Sequence, residues 1–175
     1  MTTTRKMLLA AAGNAGGGSW VVELDNARQT PSFRGVAVDS SGNITTCSLD
    51  ASSTPRKFYF AQVNSSGEVN WSKLYNLTPT DSAGGFHYST QLAVDGSDNI
   101  YFSAEVSQSD PTYITDWHVG KLSSSGDYVD SKTLVGTTYE RPKGIHFDGT
   151  NLVSYGNNDG NIATLIEMNT SLSVL

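Results

Sequence analysis

The feature that most constrains this chain is a phrase it states three times. Residues 33–45, FRGVAVDSSGNIT, return as TQLAVDGSDNIYFSAEV at 90–106 and as KGIHFDGTNLVSYG at 143–156. Asp39, Asp95 and Asp148 then align, at spacings of 56 and 53 residues. A second element recurs between the copies: FAQVNSSGEV at 60–69, VGKLSSSGDY at 119–128 and LIEMNTSLSV at 165–174, with Val63, Leu122 and Met168 matched before a polar turn. The repeating unit is therefore two successive hairpins.

Within each unit the side chains alternate with period 2, the signature of a strand. Val36 and Val38, Leu92 and Val94, and Ile145 and Phe147 fall on one side, and Ala37, Ala93 and His146 on the other. Asp39, Asp95 and Asp148 open the turns, where a short carboxylate accepts hydrogen bonds from backbone N–H groups one and two residues on. Gly42 suits a positive φ, whereas Gly96 and Gly149 come earlier in their copies, so the turns need not be identical. Second strands are expected over 44–49, 100–106 and 152–155, third strands over 57–64, 115–122 and 161–168, and fourth strands over 69–75 and 128–134.

Four antiparallel strands per roughly 55 residues is the blade of a β-propeller. The stretch SWVVELDN at 19–26 reads like NWSKLYN at 70–76, a fourth strand with no first three before it. Such an outer strand often completes the last blade of a ring, which removes a free sheet edge. SLSVL at 171–175 falls inside the third unit's fourth strand, and three units are fewer than the four at which propellers begin. The expected fold is all-β, a partial β-propeller or propeller-like array of four-stranded antiparallel blades. Either a neighbouring chain or a longer protein would complete it; the alternative is a small open or three-fold β assembly of the same hairpins. Residues 1–18 are expected to be a docking peptide and glycine linker, and 19–175 about three repeats.

Charge narrows the function. With 11 Lys plus Arg against 17 Asp plus Glu, the net charge of -6 repels a phosphate backbone or an anionic membrane. Neither a nucleic-acid partner nor a membrane span is expected, since no stretch reaches the roughly 20 apolar residues a crossing needs. Cys47, the single cysteine, excludes an intrachain disulfide and a thiolate cluster and reads as a buried thiol. At the amino terminus, Arg5 and Lys6 precede an apolar run too short for a good secretory signal. Residues 5–12 read as a helix-prone segment that needs something to pack on, with Arg5, Lys6, Met7, Leu8 and Leu9 as the docking residues.

Few residues suggest chemistry. His87, His118 and His146 have no short ligand spacing, and the DSSGN and DGSDN turns are far shorter than a calcium loop, so no metal and no cofactor are expected. NNDGN at 157–161, with Asp159, is the more loop-like turn, yet it forms without an ion. No nucleophile elbow or phosphate loop is present. Glu23, Glu68, Glu105, Glu140 and Glu167 could supply a glycosidase pair, but repeat position explains Glu68 and Glu167 as solvated turn or strand-face groups. The expectation is a protein without catalytic residues. Trp20, Trp71, Trp117, Phe58, Tyr59, Tyr101 and Phe102 read as strand residues through which sheets stack. The irregular segments 79–89 and 107–116 place Phe86, Tyr88 and Tyr113 beside Asp and Ser, a surface suited to sugars or proteins.

GVAVDSSGNI at 35–44 with VNSSGEVNW at 63–71 resembles bacterial β-propeller repeats of the AVDSSGN type, followed by a turn and a Trp-bearing strand. Residues 92–102 and 122–128 follow that pattern, and the third unit follows it loosely, with Leu172 where Gly67 and Gly126 stand. That resemblance speaks to fold, because propellers host many roles. TTRKMLLAAAGNAGG at 3–17 resembles the amino termini of virion-anchoring structural proteins of aquatic tailed phages. It implies a tail fibre, adaptor or tail-associated protein in the virion, partnered by other virion proteins and by copies of itself. The chain's brevity against such relatives favours a docking fragment or small adaptor. The alternative is a host-surface or carbohydrate-binding module acting through Phe86, Tyr88 and Tyr113 on a surface glycan.

Overall fold

The computed structural model describes residues 4–7, 21–24, 33–50, 57–76, 85–107, 115–134, 140–158 and 162–175. These form thirteen strands: β1 (Thr4–Met7), β2 (Val21–Leu24), β3 (Phe33–Val38), β4 (Ile44–Asp50), β5 (Lys57–Val63), β6 (Val69–Tyr75), β7 (Gly85–Val94), β8 (Ile100–Ser107), β9 (Thr115–Leu122), β10 (Tyr128–Leu134), β11 (Arg141–Phe147), β12 (Leu152–Asn158) and β13 (Ile162–Met168). The first sheet is the meander β3-β4-β5-β6, the second β7-β8-β9-β10, and the third β11-β12-β13; β1 and β2 form a separate two-stranded pair. All pairings are antiparallel, and register aligns the repeats: Ile44 faces Val63, Ile100 faces Leu122 and Leu152 faces Met168.

The second sheet is the middle layer. Ile100, Phe102, Ala104, Val106 and Leu122 meet Cys47, Phe58 and Phe60 of the first sheet, and Tyr101, Trp117 and Val119 meet Ile145, Leu152 and Met168 of the third. A strand covered on both faces must be apolar at successive positions, which is why β8 reads IYFSAEVS without a clean alternation. Phe58, Phe60 and Phe102 form the aromatic centre of the first interface, with ring centroids 5.1–5.8 Å apart and tilted planes. Cys47 lies buried among them.

The expectation of a partial propeller or propeller-like array is overturned. The three sheets are separate, open and antiparallel, and each outer sheet packs on the middle one. A repeated pair of hairpins specifies a sheet and its two faces. Closure needs the last sheet to meet the first, and the cores formed by the described residues join only consecutive sheets. The third sheet stops at three strands, apart from a single bridge between Met168 and Val174. β2, expected as an outer strand completing the last unit, pairs instead with β1, Arg5 opposite Glu23 and Lys6 opposite Val22. The same pairing corrects the helix-prone reading of residues 5–12 at Arg5, Lys6 and Met7. A segment this short gains more by completing a two-stranded ladder than by an isolated turn of helix.

The structure also decides which side of each leading strand meets protein. Ala37, not Val36 or Val38, packs on the core between the first two sheets. Val36 and Val38 are exposed, although Leu92 and Ile145, the counterparts of Val36, are buried, and Val94 and Phe147, those of Val38, are partly buried. Leu92 and Ile145 each point at the preceding four-stranded sheet, and no four-stranded sheet precedes β3 among the described residues.

Candidate functional site

The turns β3–β4, β5–β6, β7–β8, β9–β10 and β11–β12, and the one after β13, share one end of the stack. Five close in the same way. The first residue's N–H donates to the fifth residue's carbonyl, and the fourth residue's N–H donates to the first residue's carbonyl, as in Asp39 N to Asn43 O and Gly42 N to Asp39 O, both 3.0 Å. The fourth position needs a left-handed backbone. Gly42, Gly67 and Gly126 supply it at φ of 76°, 77° and 77°, while Asp98 and Leu172 hold 61° and 60°. Leu172 accepts that conformation because its side chain is buried in the core of the second interface. The Asp148 turn is shorter and places Gly149 at φ 105°.

The turn carboxylates reach further along the chain than the expected one and two residues: Asp39 and Asp95 accept from residues two and four on, and Asp148 from two and three on. Asp39 Oδ1 accepts from Ser41 N and Asn43 N at 2.9 and 2.8 Å, and Asp95 Oδ1 from Ser97 N and Asn99 N, both at 2.9 Å. In the shorter turn Asp148 accepts from Thr150 and Asn151. Burial pushes the Asp95 carboxyl up, but hydrogen bonds from Asn99, Tyr101 and Ser97 outweigh it and hold the group below its ordinary range. Burial, then the Asp95 carboxylate it donates to at 2.9 Å, raises Tyr101. These oxygens are thus committed to shaping turns. Among the described residues no cluster of three or more His, Cys, Asp or Glu side chains is placed to hold a metal ion.

The same rim stitches sheet to sheet. Ser40 donates from N and Oγ to Asp98 at 2.8 and 2.7 Å. Lys73 of β6 pairs with Asp127 at 2.5 Å, Tyr75 donates to the Gly126 carbonyl, and the Trp71 ring lies 2.8 Å from where a Cβ on Gly126 would stand. One interface on, Lys121 donates to the Thr170 carbonyl at 3.0 Å, and the Tyr101 hydroxyl, whose proton goes to Asp95, lies 3.1 Å from the same oxygen. Trp117 closes the second interface, its Nε1 donating to Ser154 Oγ at 2.9 Å and that hydroxyl to Gly144 O at 3.0 Å.

The histidines do not converge. His118 is buried between the first two sheets, Nδ1 2.9 Å from Thr133 Oγ1, and burial pulls its pKa down to about 4. His146 is exposed on the third sheet, and His87 lies in β7. Asp159 lies outside the described residues. Glu68 accepts from Asn64 at 3.0 Å and Glu167 from Asn151 at 2.7 Å, both exposed. Sequence reasoning named Glu105 only as one of five candidate acids and gave it no partner. It is buried in β8 toward the third sheet, with Arg141 Nε of β11 3.9 Å away. Burial raises its carboxyl above the ordinary range, opposed by Arg141, a Thr115 hydrogen bond and Lys143. A carboxylate inside an apolar run was the available signal, but its partner comes from another unit.

The surface residues singled out from sequence fall partly within the described strands and partly beyond them. Arg5, Lys6 and Met7 lie in β1, and Leu8 and Leu9 are outside the described residues. Phe86 and Tyr88 belong to β7, opposite Val106 and Glu105 with a bulge at His87, so residues 85–89 of the segment read as irregular are strand. Tyr113 and Trp20 are outside the described residues. Comparison with protein families finds no matching family model, and comparison with curated proteins finds no match.

Proposed function

We propose that this chain is a non-catalytic structural component of a phage virion, a small tail-associated adaptor or fibre part that works through protein–protein contact. The observation that carries the reading is the pair of outer sheet faces, which present apolar side chains such as Val36, Val38 and Leu165 to solvent. Exposed apolar positions gathered on the faces of a stack suit contact with other proteins. The groups with displaced ionisation support it as well, since Asp95, His118 and Glu105 are each engaged in turn or sheet contacts. The location in the tail follows the resemblance of residues 3–17 to virion-anchoring peptides, and the partners are other virion proteins and copies of this chain.

The test is cosedimentation with purified tail or capsid components. The full chain is expected in the particle fraction, and a variant lacking residues 1–18 in the supernatant. If both forms stay in the supernatant, or both enter the particle fraction alike, the docking role is wrong.

A further inference from the structure

We propose that β13 pairs edge to edge with β13 of a second copy, forming a two-fold dimer in which the third sheets of both copies run on as one. The proposal rests on the protein–protein reading above and names one of its contacts.

The side of β13 away from β12 is a place that the fold fills twice elsewhere. β5 and β9, the matching strands of the first and second sheets, carry β6 and β10 there, whereas β13 is the outermost strand of the third sheet. A fourth strand is only begun: Val174 bridges Met168, and Leu175 N donates to Glu167 O at 3.1 Å. That bond fixes the direction of the backbone. The N–H and C=O of one residue point to the same side of a strand, and the side alternates along it, so Leu165 and Ala163 point outward as Glu167 does. No strand among the described residues pairs with them. The edge is also uncovered, since Ile162 and Leu165 are 66 % and 75 % exposed, with Ala163 and Glu167 exposed beside them.

Charges, prolines and bulges normally guard such an edge against pairing. β6 carries Lys73, β10 carries Asp130 and Lys132, and each joins its sheet through a bulge. Residues 162–166, IATLI, hold no charge and no proline, and their ladder with β12 runs unbroken. The occupant follows from the same residues, because IATLI reads almost alike in both directions about Thr164. Laid antiparallel about that centre, a second copy sets Leu165 opposite Ala163 and Ile162 opposite Ile166. Leu165 and Ala163 then exchange both outward N–H···O bonds, and the two-fold axis repeats the exchange, so the groups the single chain leaves open are the groups that pair. A large side chain meets a small one on one face, and the exposed Ile162 gains an isoleucine on the other. Glu167, the single charge of β13, falls beyond the paired span and already accepts from Asn151 at 2.7 Å. A contact between identical edges is isologous and closes at the dimer.

Sedimentation velocity on the purified full chain over a range of concentrations, joined to oxidative cross-linking, tests this. Wild type is expected to pass from monomer to dimer and no further. Leu165→Pro removes an outward N–H and no bond to β12, and is expected to raise the apparent dissociation constant about ten-fold or more. Circular dichroism checks the fold; Thr164→Lys, which sets like charges opposite each other at the axis, replaces the proline variant if it unfolds. The two Thr164 residues form a non-hydrogen-bonded pair with Cα atoms about 4.5 Å apart, within reach of a disulfide. Thr164→Cys is therefore expected to yield a disulfide-linked dimer, and Val36→Cys, exposed on the first sheet, to yield none. A wild type that stays monomeric or grows past the dimer, a dimer that the β13 variant leaves unweakened, or a Thr164→Cys chain that links no better than Val36→Cys overturns the proposal. Self-association uses no virion component, so a monomeric chain that still cosediments with tails refutes the dimer alone, and a dimeric chain that does not cosediment refutes the virion reading alone.

Discussion

The fourth turn position shows how one backbone requirement is met by three different residues. Gly126 carries φ 77° beneath the Trp71 ring, whereas Gly42 carries φ 76° with open space where a Cβ would go. Gly42→Ala is expected to cost about 1–2 kcal/mol, the strain of a left-handed alanine. Gly126→Ala adds the displacement of a ring wedged between two sheets, about 1–3 kcal/mol more. Urea denaturation of both variants measures the difference, and equal losses would refute the ring contact. Leu172 meets the same requirement by burial instead. The repeat alignment marks it as a departure from glycine, but only the side chain's seat in the core explains why the departure is tolerated.

At the level of elements, the informative strands are those covered on both faces. His118 in β9 is neutral because burial holds its pKa at about 4 against an ordinary 6.5. The folded state thus binds a proton less readily than the unfolded chain. Its contribution to stability is complete above pH 6.5 and is lost as the pH falls, levelling off below about 4. At about 1.4 kcal/mol per pH unit the loss approaches about 3 kcal/mol. Glu105 works in the opposite direction, since its raised carboxyl takes a proton more readily in the folded state. Comparing wild type with His118→Gln isolates the histidine: the variant's stability is expected to fall less between pH 6.5 and 4, and parallel profiles would refute the assignment. The strands themselves were legible. Expected bounds 69–75, 115–122 and 128–134 match β6, β9 and β10, because alternation and turn chemistry act within a few residues. Arg5, Lys6 and Met7 were misread because helix propensity in so short a run is weaker than pairing with a strand some fifteen residues away.

For the whole molecule, three sheets in series put the middle one in contact with both neighbours and each outer one at an end. Such a stack is held by nearest-neighbour contacts. Trp117 is the largest side chain in the second interface. Trp117→Ala is expected to cost about 3–5 kcal/mol. The loss should appear as faster hydrogen exchange in β11–β13, with β3–β5 remaining protected. Hydrogen exchange by mass spectrometry reads this directly, and an equal rise in all three sheets would mean that the stack opens as a single unit.

By itself, the sequence determined that the chain is all-β, where most strands lie and which aspartates open the turns, since each of these depends on groups only a few residues apart. It also determined the parity of each strand, so Val36 and Val38 were known to share a side. Tertiary structure alone decided whether that side meets protein or water, whether the sheets close, and that a buried Glu105 stands near Arg141. Those outcomes depend on which sheet comes to lie beside which, and identical local patterns at Val36 and Leu92 carry no record of their neighbours.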